Sequence, residues 1–131
     1  MCTRTDDPRG SISALVVSLA AALVLVAGVV HDTGRLVQAH SRLADVAGNA
    51  ARAGAQSVTG IRNGDPRIDQ MGARVRATEM LRTEKVGGTV TVVRGQVRVT
   101  VHETVRLTAL ALLGVASREI SVTRSALVMA G

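Results

Sequence analysis

SISALVVSLAAALVLVAGVV, residues 11–30, carries no charged side chain. As an α-helix rising about 1.5 Å per residue it reaches about 30 Å, the thickness of a bilayer's hydrocarbon core, so it reads as one transmembrane helix. A secretory signal peptide is the competing reading. Its apolar region usually runs about 7–15 residues and ends in a small-x-small cleavage site, whereas the helical pattern here continues past Val30. A retained anchor is the better match. Arg4 and Arg9 precede the segment while Arg35 and Arg42 follow it, so the positive-inside comparison nearly balances. The simpler topology makes residues 1–10 a short cytoplasmic leader, residues 11–30 a single pass through the cytoplasmic membrane, and residues 31–131 an extracytoplasmic α+β domain.

Beyond His31 and Asp32 the apolar residues Leu36, Leu43, Ala47, Ala50, Gly54 and Val58 recur at spacings of three, four or seven. That period continues the membrane helix as an amphipathic helix to about Val58, with Gly60 as its cap. Small residues also recur four apart: Ala44 with Gly48, Ala47 with Ala51, Ala50 with Gly54, and Ala51 with Ala55. This spacing lets a second backbone approach closely, so the stripe is the expected helix-packing interface with a partner. The same stripe would equally suit packing of an alanine-rich helix against the chain's own sheet, and the two uses can coexist.

Further along, Asp65 is a good N-cap and Pro66 fits a first helical position. A second, short helix is therefore expected from there, burying Ile68, Met71, Val75 and Leu81 and stopping at Gly87 and Gly88. The period then falls to two. Val90 and Val92 alternate with threonines, and after Arg94-Gly95 the residues Val97, Val99 and Val101 alternate with Arg98, Thr100 and His102. This is a hairpin pattern with a two-residue connection. Residues 107–115, LTALALLGV, are too short to cross a bilayer and read as a buried turn of helix. Ile120 and Val122, alternating with Ser121 and Thr123, make a third strand paired with the hairpin.

The rest of the composition narrows the function by exclusion. There is no Phe, Tyr or Trp, so the core must be built from Ala, Val, Leu, Ile and Met, and no aromatic platform exists on which nucleic-acid bases could stack. The net charge is +6, and all but one of the 16 basic residues are arginines. They are scattered singly among Asp and Glu, as on a solvated surface. Cys2 is the single cysteine, which rules out an intramolecular disulfide. Asp32-Thr33-Gly34 matches the tripeptide of aspartic proteases, but that chemistry needs two carboxylates sharing a proton on rigid loops, and this one follows a membrane helix. Asp32 reads instead as an interfacial charge that keeps the segment from sliding into lipid. His31 and His40, nine residues apart on a helix, face nearly opposite sides and cannot share a metal. Neither a phosphate-binding loop, a nucleophile elbow nor an H-E-x-x-H pair occurs. The chain is thus expected to be no enzyme, with no cofactor and no metal, and nucleic acid is a disfavoured partner.

A membrane helix that runs on as a soluble amphipathic helix and then meets a small antiparallel sheet is the plan of type IV pilins and pseudopilins. Within that group the chain resembles the TadE and TadG proteins of the tight-adherence (Flp) pilus machinery, in the short form found in actinobacteria. The residues that carry the likeness are Arg9-Gly10-Ser11, Asp32-Thr33-Gly34-Arg35, Ala50-Ala51-Arg52-Ala53-Gly54-Ala55 and Leu112-Leu113-Gly114-Val115. The resemblance implies a pilin-like α+β fold and a place in the cell envelope among the membrane subunits of a pilus or secretion apparatus. It also implies prepilin-peptidase cleavage between Gly10 and Ser11. Mature pilins usually carry Glu at their fifth position, and here Leu15 stands there, so the chain suits a minor or anchoring component better than a repeating filament subunit.

The expected function is therefore structural, with the helix and its small-residue stripe contacting the lipid bilayer, other subunits or a second copy in a homo-oligomer. The alternative is a membrane-tethered module that captures DNA or an acidic cell-wall polymer on its basic exterior.

Overall fold

The computed structural model describes residues 8–59 and 67–127. Helix α1 spans Pro8–Ala55 as one unbroken element. Proline suits its first position, where the missing N–H has no helical partner. The helix ends at Ala55 rather than near Val58, because the chain tightens at Ser57, whose N–H bonds the Gly54 carbonyl at 3.0 Å. The β-branched pair Val58–Thr59 (β1) then joins Arg67–Ile68 (β2) in a short antiparallel ladder. The expected caps Gly60, Asp65 and Pro66 lie outside the described residues.

Helix α2 spans Gln70–Thr83 and is capped by Asp69, whose carboxylate accepts the Met71 N–H at 3.1 Å. The expected start at Asp65-Pro66 is thus corrected, since Arg67 and Ile68 are extended. The buried face is corrected too: Ala73, Ala77 and Leu81 are buried, whereas Met71 and Val75 are exposed. The cause is how closely α2 crosses α1. A β-carbon added to Gly54 would lie 2.9 Å from the Ala73 carbonyl oxygen and 3.3 Å from the Ala77 methyl, so only small side chains fit the seam.

Nor do Gly87 and Gly88 stop the helix. Lys85 does, at φ +55°. The Lys85 N–H returns to Arg82 and the Val86 N–H to Leu81, each at 3.1 Å, which is the Schellman closure with a lysine in the place glycine usually takes.

Strands β3 (Gly87–Val93), β4 (Gln96–Arg106) and β5 (Ser117–Leu127) form an antiparallel sheet in the order β3-β4-β5. The hairpin forms at Arg94-Gly95, as the alternation implies. Both residues have positive φ, +50° and +75°, as the twist-matched two-residue turn requires. One sheet face is apolar and packs on the helices, with Val97, Val99 and Val101 fully buried beside Leu43, Ala47 and Ala50 of α1. Each fully buried Val or Leu contributes about 1.5–3 kcal/mol of hydrophobic stabilisation. The other face is polar, with cross-strand bonds from Thr100 to Thr123 at 2.9 Å and from Gln96 to Ser125 at 3.1 Å. The result is an α+β, two-layer fold: a long N-terminal helix, a second short helix and a three-stranded sheet.

Residues 107–115 depart from the sequence expectation. Leu107 is buried, but the chain then enters a 3-10 turn, Leu110–Leu113, with Leu112 and Leu113 exposed. Gly114, at φ +92°, turns the chain back into β5.

Candidate membrane and assembly surface

The first half of α1 has the chemistry of a lipid-facing helix and the exposure to match. Ile12, Leu15, Val16, Val17, Leu19 and Leu23 all stand clear of the rest of the fold, and the helix is long and apolar enough to cross a membrane. The second half, from Leu43 onward, buries one face under the sheet and α2. One helix therefore carries two environments, and the sequence marks the change: valine and leucine all round give way to a stripe of alanine and glycine.

That stripe is occupied within the chain. Ala47, Ala50, Ala51 and Gly54 are buried, and Ala44 and Ala55 pack against the same core. A β-carbon on Gly54 would also meet Val97 at 3.0 Å. Gly48 differs, because there the nearest atom would be the mobile end of Arg52, 3.7 Å away. The close approach that the spacing implies is thus made by the chain's own α2 and β4. The outward edge of the stripe, at Gly48, is where a further helix would have room. Gly10 and Ser11 lie inside α1, whose backbone runs through them without a break.

Between the two halves sits Asp32, and its surroundings were hidden from sequence reasoning. Its side chain is fully buried. One carboxylate oxygen, Oδ2, accepts the N–H groups of Thr108 at 3.0 Å, Ala109 at 2.7 Å and Leu110 at 2.9 Å, and Oδ1 also faces the Thr108 N–H at 3.0 Å. The backbone N–H groups of Leu110 and Thr108 hold the carboxyl below the usual aspartate range. Burial opposes them, and the Ala109 N–H and the charge of His31 add to them. A carboxylate so engaged is a clasp between α1 and the β4–β5 connection, with both oxygens committed to backbone donors. The sequence alone makes Asp32 an interfacial charge that keeps the segment from sliding into lipid; the structure gives its carboxylate backbone partners in the β4–β5 connection. Its partners lie 76 to 78 residues away, so no local pattern could reveal them. The available signal was a lone acidic residue at the membrane exit together with an apolar connection too short to span.

Nearer the sheet, Arg42 and Glu103 approach to 3.7 Å, a partly exposed pair of small energetic consequence. His31, His40 and His102 are exposed, and among the described residues no three His, Cys, Asp or Glu side chains gather as a metal site would require.

No curated protein and no solved structure matches the chain. A family match exists for the segment just described: residues 10–57 match the family described as "Putative Flp pilus-assembly TadE/G-like". The match takes in Gly10-Ser11, the Asp32 exit and the alanine-rich stripe, and ends before the β-sheet. Over the stretch that forms α1 and the turn after it, the chain is similar to TadE/G-like pilus-assembly proteins.

Proposed function

We propose that the chain is a non-enzymatic, membrane-anchored component of a Flp/Tad-type pilus or secretion apparatus, structural or accessory in role. Helix α1 crosses the cytoplasmic membrane once, and the α+β domain stands on the extracytoplasmic side. The observation that carries this reading is a coincidence of place: the pilus-assembly match covers residues 10–57, the same helix whose apolar half stands largely exposed. Other pilus subunits, or a second copy, would meet the membrane half of α1 and the outward edge of the stripe at Gly48. Gly10-Ser11 is the point at which a prepilin peptidase would act.

The test is co-purification of the tagged full chain from membranes of its own host, with Gly48→Leu as the interface variant. Gly54 is unsuitable because bulk there disrupts the domain itself. The expected result is a chain that resists alkaline carbonate extraction and brings membrane subunits with it, and that loses them on Gly48→Leu. Release by carbonate would refute the anchor, and undiminished association in Gly48→Leu would refute the interface. The mass of the mature N-terminus decides the cleavage: a chain beginning at Ser11 supports it, and one retaining residues 1–10 refutes it.

A further inference from the structure

The β4–β5 connection is an apolar element with an unusual address. Residues 109–116 read ALALLGVA, without one polar side chain. Leu112 is 77% exposed and Leu113 67%, whereas Leu43, Leu81 and Leu107 of the same domain are buried.

Its level along α1 is fixed twice. The Asp32 clasp holds Thr108, Ala109 and Leu110. One helical turn earlier, a β-carbon on Gly28 would lie only 2.6 Å from the Ala109 methyl, so Ala109 rests on bare helix backbone. Gly28 belongs to the apolar stretch that ends at Val30. The turn therefore stands level with the last apolar residues of α1, on the helix face that carries Leu25, an exposed residue three positions before Gly28.

The backbone is prepared for a medium poor in hydrogen bonds. Three of its N–H groups go to Asp32. Those of Leu112, Gly114 and Val115 go to the carbonyls of Ala109, Ala111 and Leu110 at 2.9–3.1 Å. An irregular segment entering lipid without such partners would leave its backbone polar groups unsatisfied, which lipid does not tolerate. Just outside the turn, Arg35, Arg106 and Arg118 are exposed, at the height where anionic headgroups would lie if the turn met lipid.

We propose that the 3-10 turn Leu110–Leu113 dips into the bilayer leaflet on the domain's side, as a second lipid contact beside α1. The occupant of this apolar face is lipid, because the face is continuous with the lipid-facing half of the helix. The proposal rests on the membrane-anchor reading, and its test separates the two.

The full chain with Cys2→Ser is reconstituted into vesicles of phosphatidylcholine and phosphatidylglycerol. Single cysteines at Leu112→Cys, Leu23→Cys and Leu127→Cys carry an environment-sensitive fluorophore. Emission is quenched either by nitroxide on the lipid chains or by iodide in the water. The expected result is loss of emission to the lipid nitroxide at 112 and 23, and to iodide at 127. Lipid quenching at 23 with iodide quenching at 112 would overturn the proposal and leave the anchor standing. Iodide quenching at 23 would overturn the anchor and the proposal together. Protection of 112 from both quenchers would put a protein, whether another subunit or a second copy, on this face and overturn the lipid assignment. Both Leu112 and Leu23 are exposed, so neither label strains the fold.

Discussion

Adding one methyl group at two glycines of α1 should move stability in opposite directions. Gly48 lies in the helix interior, and a β-carbon there would find only the Arg52 guanidinium at 3.7 Å. Gly48→Ala should therefore gain the helix-propensity difference of about 0.8–1 kcal/mol. Gly54 is the next-to-last helical residue, and its β-carbon would fall 2.9 Å from the Ala73 carbonyl oxygen and 3.0 Å from a Val97 methyl. The first of these is backbone and cannot swing away, so α2 or β4 must shift. Overpacking of this kind costs about 1–3 kcal/mol, against a propensity gain of at most about 1 kcal/mol this near the helix end. The two variants should differ by at least about 1 kcal/mol. Without aromatic residues the chain gives little fluorescence signal, so the measurement is urea unfolding in detergent micelles followed by far-ultraviolet circular dichroism. With urea slopes of about 1–3 kcal/mol per molar, the midpoints should separate by roughly 0.3 M or more, Gly48→Ala above the parent and Gly54→Ala the lower of the two. A Gly54→Ala midpoint equal to or above that of Gly48→Ala would show that α1, α2 and β4 do not meet as closely as described.

Asp32→Asn should speed hydrogen exchange at the Thr108, Ala109 and Leu110 amides while leaving Val99 unchanged; equal protection at the three amides would refute the clasp. Because the folded carboxyl is held below the usual value of about 3.9, the clasp is fully present above that value and is lost as pH falls through the lower, folded one. Exchange protection of those amides should therefore hold at pH 5 and fail only in stronger acid, and loss near neutrality would contradict it. Leu43→Ala removes a fully buried side chain and should lower unfolding free energy by about 2–5 kcal/mol, measured by the same urea titration. At the hairpin, Gly95→Ala places a methyl-bearing residue at φ +75° and should cost about 1 kcal/mol. Arg94→Asn, at φ +50°, should raise the midpoint, and the reverse order would refute the turn assignment.

How much of this was legible in the sequence varied with the range of the interaction that decides each element. Val97, Val99 and Val101 alternate with polar residues, so β4 and its partner strands could be read directly, and the charge-free run of residues 11–30 gave the exposed helix. The small-residue stripe announced close packing but could not say against what, and the structure sets its inward side against α2 and β4. Helix ends were harder. Asp69 caps α2 where Asp65-Pro66 looked the better signal, and Lys85 takes a left-handed conformation that sequence habit gives to the nearby glycines. The apolar connection after β4 looked buried because leucines usually are. Its exposure follows from where Asp32 holds it, a tertiary fact with no local trace.

Asp32 also has a mechanical consequence. From Asp32 to Ala55 helix α1 continues for about 35 Å at 1.5 Å per residue, gripped by the clasp at its base and by the valine face of the sheet toward its tip. With those two points of grip the domain cannot swivel on the membrane segment as a tethered module would. Anchored as proposed, it would behave as the arm of a lever whose fulcrum is the bilayer surface. A change of about 10° in the tilt of the buried segment, well within the 0–40° range of membrane helices, would carry the far end of the domain sideways by roughly 6 Å. A change of tilt within the lipid would then be read at the sheet as displacement.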